Sequence, residues 1–147
     1  MVRTGSKRLS AVQLAPVMRD VITRFNRRLR KVRPIGELTI NQLSALTSLE
    51  LAGALTPREL ADAERVQPPT MTKIVAKLEE RGLVQRTPHP TDGRQVILAA
   101  SEAGRAIVAE DRRAREAWLA RRLAALTPEE RETLQKAAEI LDRLGPE

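Results

Sequence analysis

Apolar residues in this chain fall into short helical stripes, each bounded by capping residues, with two brief strand-like runs past the middle. Met18, Ile22, Phe25, Leu29 and Val32 recur at steps of four, three, four and three, which predicts an amphipathic helix from about Val12 to Val32. Pro34 stops it, and Gly36 marks a loop. Thr39 opens a second helix, with Gln42 completing a Thr-x-x-Gln capping box, Leu43, Leu46 and Leu49 facing inward, and Gly53 as terminator. The third helix starts at Thr56, with Pro57 at the first helical position and Glu59 closing the box; Leu60, Ala61 and Val66 point inward. Each such cap is worth about 1 kcal/mol, so these boundaries are specified locally.

A fourth helix begins at Pro68-Pro69 and ends at Gly82, after Arg81 at its negative end. Strands then follow over Leu83 to Thr87 and Gln95 to Ala99, joined by Pro-His-Pro-Thr-Asp-Gly-Arg, whose prolines and Asp-Gly forbid helix. Ser101 caps a fifth helix through about Leu123, with Ile107, Ala114, Trp118 and Leu123 or Leu126 inward. Thr127-Pro128-Glu129-Glu130 repeats the start seen at Thr56 and leads a last helix to Leu144, carrying Leu134, Ala137 or Ala138, Leu141 and Leu144.

Four helices, a hairpin and two helices give a mainly α fold with a small β-hairpin wing. The predicted architecture is a winged helix-turn-helix core flanked by N- and C-terminal dimerisation helices. Residues 1–37 form an arm and the first dimerisation helix, 38–100 the winged lobe, and 101–147 the C-terminal dimerisation helices. The terminal stripes exceed what the central lobe can cover, and a twofold pair is the commonest way to bury such faces.

Charge narrows the partner. Among 147 residues, 26 Lys and Arg face 19 Asp and Glu, a net charge of +7 that favours a polyanion. No cysteine is present, which removes thiolate metal sites and thiol chemistry. No apolar run is long enough to span a bilayer, and the basic start, Met1 to Arg8, is followed by no signal-peptide core. The expectation is a cytoplasmic protein with a solvated N-terminal arm. Phe25 and Trp118 are the only aromatic residues, too few for base-stacking recognition of single strands and more in keeping with packing. Double-stranded DNA, read mainly by Arg, Lys and small polar groups, fits better.

With Met71, Ile74, Val75 and Leu78 inward, the fourth helix turns Pro69, Thr70, Lys73, Ala76, Lys77 and Glu80 outward, with Thr72 on the flank. Thr70, Thr72 and Lys73 sit at the N-terminal end, which reaches base edges in helix-turn-helix docking, and Lys73 and Lys77 suit guanine acceptors or phosphates. An ordinary amphipathic helix with a wet polar face explains the same pattern taken alone. The hairpin shifts the balance, because Arg86, His89, Thr91, Asp92 and Arg94 surround its tip. Arg94 is the candidate for a narrow minor groove, and Asp92 the candidate to hold a guanidinium; a solvated turn is the plainer reading of Asp92-Gly93.

Leu78-Glu79-Glu80-Arg81-Gly82-Leu83-Val84-Gln85-Arg86 followed by Asp92-Gly93-Arg94 resembles the MarR-type (multiple antibiotic resistance) transcriptional regulators. Leu38-Thr39 with Gln42-Leu43, and Glu102-Ala103-Gly104-Arg105, resemble that family's second- and fifth-helix starts, so the likeness runs from about Leu14 to Leu144. The resemblance implies an obligate homodimer with interlocked terminal helices that binds a pseudo-palindromic operator and represses transcription. It implies DNA contacts from Thr70, Thr72, Lys73 and Lys77, a wing flanked by Arg86 and His89, and Arg94 as the minor-groove finger. It also implies release by a small aromatic carboxylate. Pro68-Pro69, in place of a small polar cap, and Ala63-Glu64-Arg65, where a glycine is common, depart from the pattern.

Other readings remain open at this level. An enzyme needs a positioned base and partner, and the chain offers one His, no Cys, no Tyr and no glycine-rich phosphate loop. No cofactor and no metal is expected, since a single His leaves carboxylates as the main ligands. A winged-helix protein-protein adaptor without DNA binding is the principal alternative. Arg19, Arg24, Arg27, Arg28, Arg30, Lys31 and Arg33 on the first helix read mainly as a solvated face, with an effector carboxylate or DNA backbone as the second option.

Overall fold

In a computed structural model, residues 8–32 and 38–145 are described, and the chain divides into two compact units, residues 1–33 and 34–147. The first unit contains α1 (Ala11–Arg30). Ser10 caps it in a reciprocal box with Gln13, a start that the hydrophobic stripe alone did not disclose. No residue of α1 is buried, and Leu14, Val17, Val21, Ile22 and Phe25 are exposed. The expectations for Arg33, Pro34 and Gly36, and for most of the N-terminal arm, lie outside the described residues.

The second unit contains α2 (Ile40–Ala52), α3 (Pro57–Glu64), α4 (Pro68–Glu80), β1 (Val84–Pro88), β2 (Val96–Ala100), α5 (Glu102–Ala124) and α6 (Pro128–Asp142). Capping boxes at Thr39, Thr56 and Thr127 start α2, α3 and α6 as the sequence predicts. Gly53 and Gly82 adopt positive φ, +81° and +67°, at the ends of α2 and α4. Leu46, Leu49, Leu60, Met71, Val75, Leu78 and Leu98 are the large side chains wholly inside, so α2, α3, α4 and the hairpin share one core. Fully burying such a side chain contributes roughly 1.5–3 kcal/mol, which makes this cluster the main stabilising feature of the unit.

β1 and β2 pair antiparallel with Val84 opposite Ala100 and Pro88 opposite Val96, each strand one residue later than predicted. Leu55 adds a bridge to Leu98, its N–H donating at 3.0 Å and its carbonyl accepting at 2.7 Å. This short third rung ties the loop before α3 to the wing.

The start of α5 belongs to the same core. Ser101 Oγ accepts the Gly104 N–H at 3.0 Å and donates to the Gly82 carbonyl at 2.6 Å, while the Ser101 N–H donates to the Leu83 carbonyl at 2.9 Å. Gly104 and Val108 are the buried positions of α5, whereas the predicted inward residues Ile107, Ala114, Trp118, Leu123 and Leu126 are half-buried. The core therefore runs across residue 101. Farther along, Arg112 of α5 pairs with Glu50 of α2 at 3.1 Å. On α6, Leu134, Ile140 and Leu141 are exposed, as is Leu144 just beyond its end.

Candidate nucleic-acid interface

The core assigns the two faces of α4. Met71, Val75 and Leu78 are buried and Ile74 packs against them, which leaves Thr70, Thr72, Lys73, Ala76, Lys77 and Glu80 exposed. Thr70 and Lys73 make no side-chain hydrogen bond or ion pair among the described residues. The Thr72 hydroxyl donates to the Pro68 carbonyl at 3.0 Å, so it meets a ligand as an acceptor unless that bond opens. Lys77 reaches Glu80 at 2.9 Å with both side chains 63% exposed, a pairing weak enough for a phosphate to replace.

Pro68-Pro69 has a further consequence. Neither residue carries an amide hydrogen, and the next two, Thr70 and Met71, donate theirs to the Gln67 carbonyl at 3.0 and 3.1 Å. The amides that normally receive an anion at a helix start are thus missing or engaged. Anion contacts at this end of α4 fall to side chains, Thr70 and Lys73 above all.

The wing is anchored to α4 by a forked ion pair. Arg86 Nε donates to Glu79 Oε1 at 2.8 Å and its Nη2 to Glu79 Oε2 at 3.1 Å. The hydrogen bonds from Arg86 hold the Glu79 carboxyl below its ordinary range, and the same contacts raise the guanidinium. Arg86 lies in mid-strand opposite Leu98, not free at the tip.

At the tip, the backbone and two side chains set the turn. The His89 N–H donates to the Gln95 carbonyl and the Gln95 N–H to the Asp92 carbonyl, both at 3.0 Å. His89 Nδ1 receives the N–H groups of Thr91 and Asp92 at 3.3 and 3.2 Å. Asp92 Oδ1 accepts the Arg94 N–H at 3.1 Å and its Oδ2 accepts the Gln95 side-chain amide at 3.2 Å. Asp92 therefore holds the backbone of Arg94 and the side chain of Gln95; the expected grip on a guanidinium is not formed. The Arg94 side chain is exposed and has no hydrogen bond or ion pair among the described residues.

The candidate residues thus separate into two groups. Thr70, Thr72, Lys73, Lys77 and Arg94 offer side-chain groups to solvent, while His89 and Asp92 are engaged within the wing and Arg86 ties it to α4. Two supporting residues, Glu79 and Gln95, were not picked out by the sequence. Glu79 lies in the last turn of α4 and Arg86 in β1, so a chain reversal separates them and neither a helical nor a strand period brings them together. Among the described residues no group of three or more His, Cys, Asp or Glu is placed to hold a metal, and no helix is long and apolar enough to cross a membrane.

Known proteins resemble this chain in sequence and in fold. A sequence model described as the MarR family matches residues 38–96, the stretch from the start of α2 into β2. The chain is 46% identical over 132 residues to Mb0904, an uncharacterized HTH-type transcriptional regulator of Mycobacterium bovis, covering 90% of this chain and 92% of that protein. It is 34% identical over 108 residues to the HTH-type transcriptional repressor MdtR of Bacillus subtilis, covering 74% and 68%. In three dimensions it is similar to the crystal structure of RV1404 from Mycobacterium tuberculosis, with a TM-score of 0.82 and 26% identity over 97% of this chain and 99% of that one.

Proposed function

This chain belongs to the MarR family of DNA-binding transcriptional regulators, and from that premise we propose that it is a homodimeric cytoplasmic repressor of a pseudo-palindromic operator. One observation carries the reading: the only wing-tip cation, Arg94, and the polar N-terminal face of α4, with Thr70 and Lys73, are exposed and unengaged next to a braced hairpin. A helix of this kind suits a major groove and a thin ribbon bearing an arginine suits the adjoining minor groove. Thr70, Thr72 and Lys73 take base edges, Lys77 takes a phosphate, and Arg94 enters the minor groove. Arg86 and Asp92 hold the wing in shape.

Pairing is supported by the exposed apolar side chains of α1 and α6, which a second copy would cover. Repression is supported by the likeness to MdtR, itself named a repressor. Release by a small aromatic carboxylate rests on the family resemblance. A regulator of this family is not an enzyme, and the chemistry it performs is binding.

Selection of bound fragments from random duplex DNA, repeated with a panel of aromatic carboxylates, tests the proposal. The expected result is a two-part motif with half-sites about 10 base pairs apart. Neutralising about eight phosphates gives a slope near −7 in log affinity against log salt, a loss of about 10⁴-fold between 50 and 200 mM. A folded protein that ignores duplex even at low ionic strength refutes the reading and leaves the protein-protein adaptor in its place.

A further inference from the structure

His89 was singled out by its place in the wing, and its surroundings assign it a task other than touching DNA. The ring is half-buried directly after Pro88, the last residue of β1. Its Nδ1 lies 3.3 Å from the Thr91 nitrogen, 3.2 Å from the Asp92 nitrogen and 3.3 Å from the Thr91 hydroxyl. A backbone N–H can only donate, so Nδ1 must be the bare nitrogen of a neutral ring, with the proton on Nε2. The imidazole thus performs the local capping that Asn and Asp side chains perform in tight turns, accepting backbone N–H groups two and three residues ahead.

Asp92 completes the arrangement from the other side of the tip. The N–H capped by His89 belongs to the same residue whose carboxylate holds the Arg94 N–H and the Gln95 amide. Loss of the His89 acceptor leaves the Asp92 N–H uncapped, with only the Gln95 N–H on its carbonyl to hold that backbone, and so loosens the carboxylate that holds the Arg94 N–H. The glycine that follows Asp92 gives the tip no stiffness of its own.

We propose that His89 is a positioning residue of the wing, whose Nδ1 caps the backbone of Thr91 and Asp92 and so presents Arg94 to the minor groove. The proposal rests on the DNA-binding reading for its consequence, but the cap itself is a property of the free protein.

Isosteric substitution separates the two ring nitrogens. An Asn side-chain oxygen falls near the position of Nδ1, whereas the end of a Gln falls near Nε2. Affinity for the selected operator is measured for wild type, His89→Asn, His89→Gln and His89→Ala, with backbone amide exchange of Thr91 and Asp92 followed by NMR in the unbound proteins. Expected are binding within about threefold of wild type for His89→Asn and a loss of about tenfold for both His89→Gln and His89→Ala. Amide protection at Thr91 and Asp92 should persist in the Asn variant and disappear in the other two. The wild-type ring should give the nitrogen shifts of the Nε2–H tautomer at neutral pH. Retention by Gln with loss by Asn would make His89 a direct contact through Nε2 and overturn the proposal, as would equal affinity and equal protection in all variants. If wild type binds no duplex, the DNA reading fails; the amide exchange and the tautomer still support or reject the cap.

Discussion

Replacing Gly104 by alanine opposes two local effects of different sign. Alanine is the better helix former by about 1 kcal/mol, so propensity alone predicts a more stable protein. Packing predicts the reverse. A Cβ built on Gly104 would lie 2.2 Å from the Leu83 carbonyl oxygen and 3.0 Å from Leu46 Cδ1. A carbon ordinarily stays about 3.3 Å from such an oxygen, so α5 and the chain at Leu83 must separate by about 1 Å. That carbonyl also accepts the Ser101 N–H at 2.9 Å, and the adjoining Gly82 carbonyl accepts Ser101 Oγ at 2.6 Å, so the movement strains both bonds.

Overpacking costs about 1–3 kcal/mol and each weakened hydrogen bond about 0.5–1.5 kcal/mol. Against the gain of about 1 kcal/mol in propensity, the net loss centres near 3 kcal/mol. Urea unfolding followed by circular dichroism, at one fixed protein concentration because the proposed dimer couples stability to association, reads this directly. With a slope of about 2 kcal/mol per molar, the midpoint for Gly104→Ala falls by about 1.5 M. A midpoint equal to or above that of wild type would refute the packing argument and leave propensity in command. The same variant should also lose operator affinity, because the displaced segment leads directly into β1.

Three other outcomes follow from the site and the helix ends. Arg94→Ala should weaken operator binding at least tenfold while thermal unfolding stays as in wild type; unchanged affinity removes Arg94 from the minor groove. Glu79 has a lowered folded-state pKa because Arg86 donates to it, so its contribution to stability is complete above the unfolded carboxyl value and disappears as pH falls through the lower folded one. Urea midpoints measured from pH 6 to pH 3 should therefore decline less steeply in Glu79→Gln than in wild type, and parallel curves would contradict the clamp. Arg65 ends α3 in the left-handed region at φ +53°, where an L side chain is strained by about 1–2 kcal/mol, partly offset in glycine by its freer unfolded chain. Arg65→Gly should accordingly raise stability by roughly 0.5–1 kcal/mol in the same unfolding assay, and a lower midpoint would mean that the Arg65 side chain compensates its backbone.

How much of this protein was legible in its sequence depends on how far each signal reaches along the chain. The starts of α2, α3 and α6 were plain, because a capping box joins residues three apart and needs nothing beyond them. The stop at Gly82 and the inward face of α4 were equally plain, since a positive φ and a helical period are local properties. The wing-tip cation Arg94 came from chain order and charge. Arg86, His89 and Asp92 lie on the wing as expected, but the guanidinium expected for Asp92 is replaced by the Arg94 N–H and the Gln95 amide, and the partners of the other two were not foreseen. The fork onto Glu79 spans a chain reversal, and the His89 cap depends on which ring nitrogen faces the backbone.

What the sequence determined by itself, then, was the order of the helices, the capped starts of α2, α3 and α6, the outward face of α4 and the basic wing, all encoded by contacts within a turn or two. Only the tertiary structure decided that Leu55 would bridge to Leu98, that Gly104 must lack a side chain against Leu83, and that three candidate contact residues would be occupied in holding the wing. The physical reason is that these pairings are made by surfaces brought together only when the core closes, and an unpaired polar group or a forbidden Cβ acquires its energetic cost only in that closed arrangement.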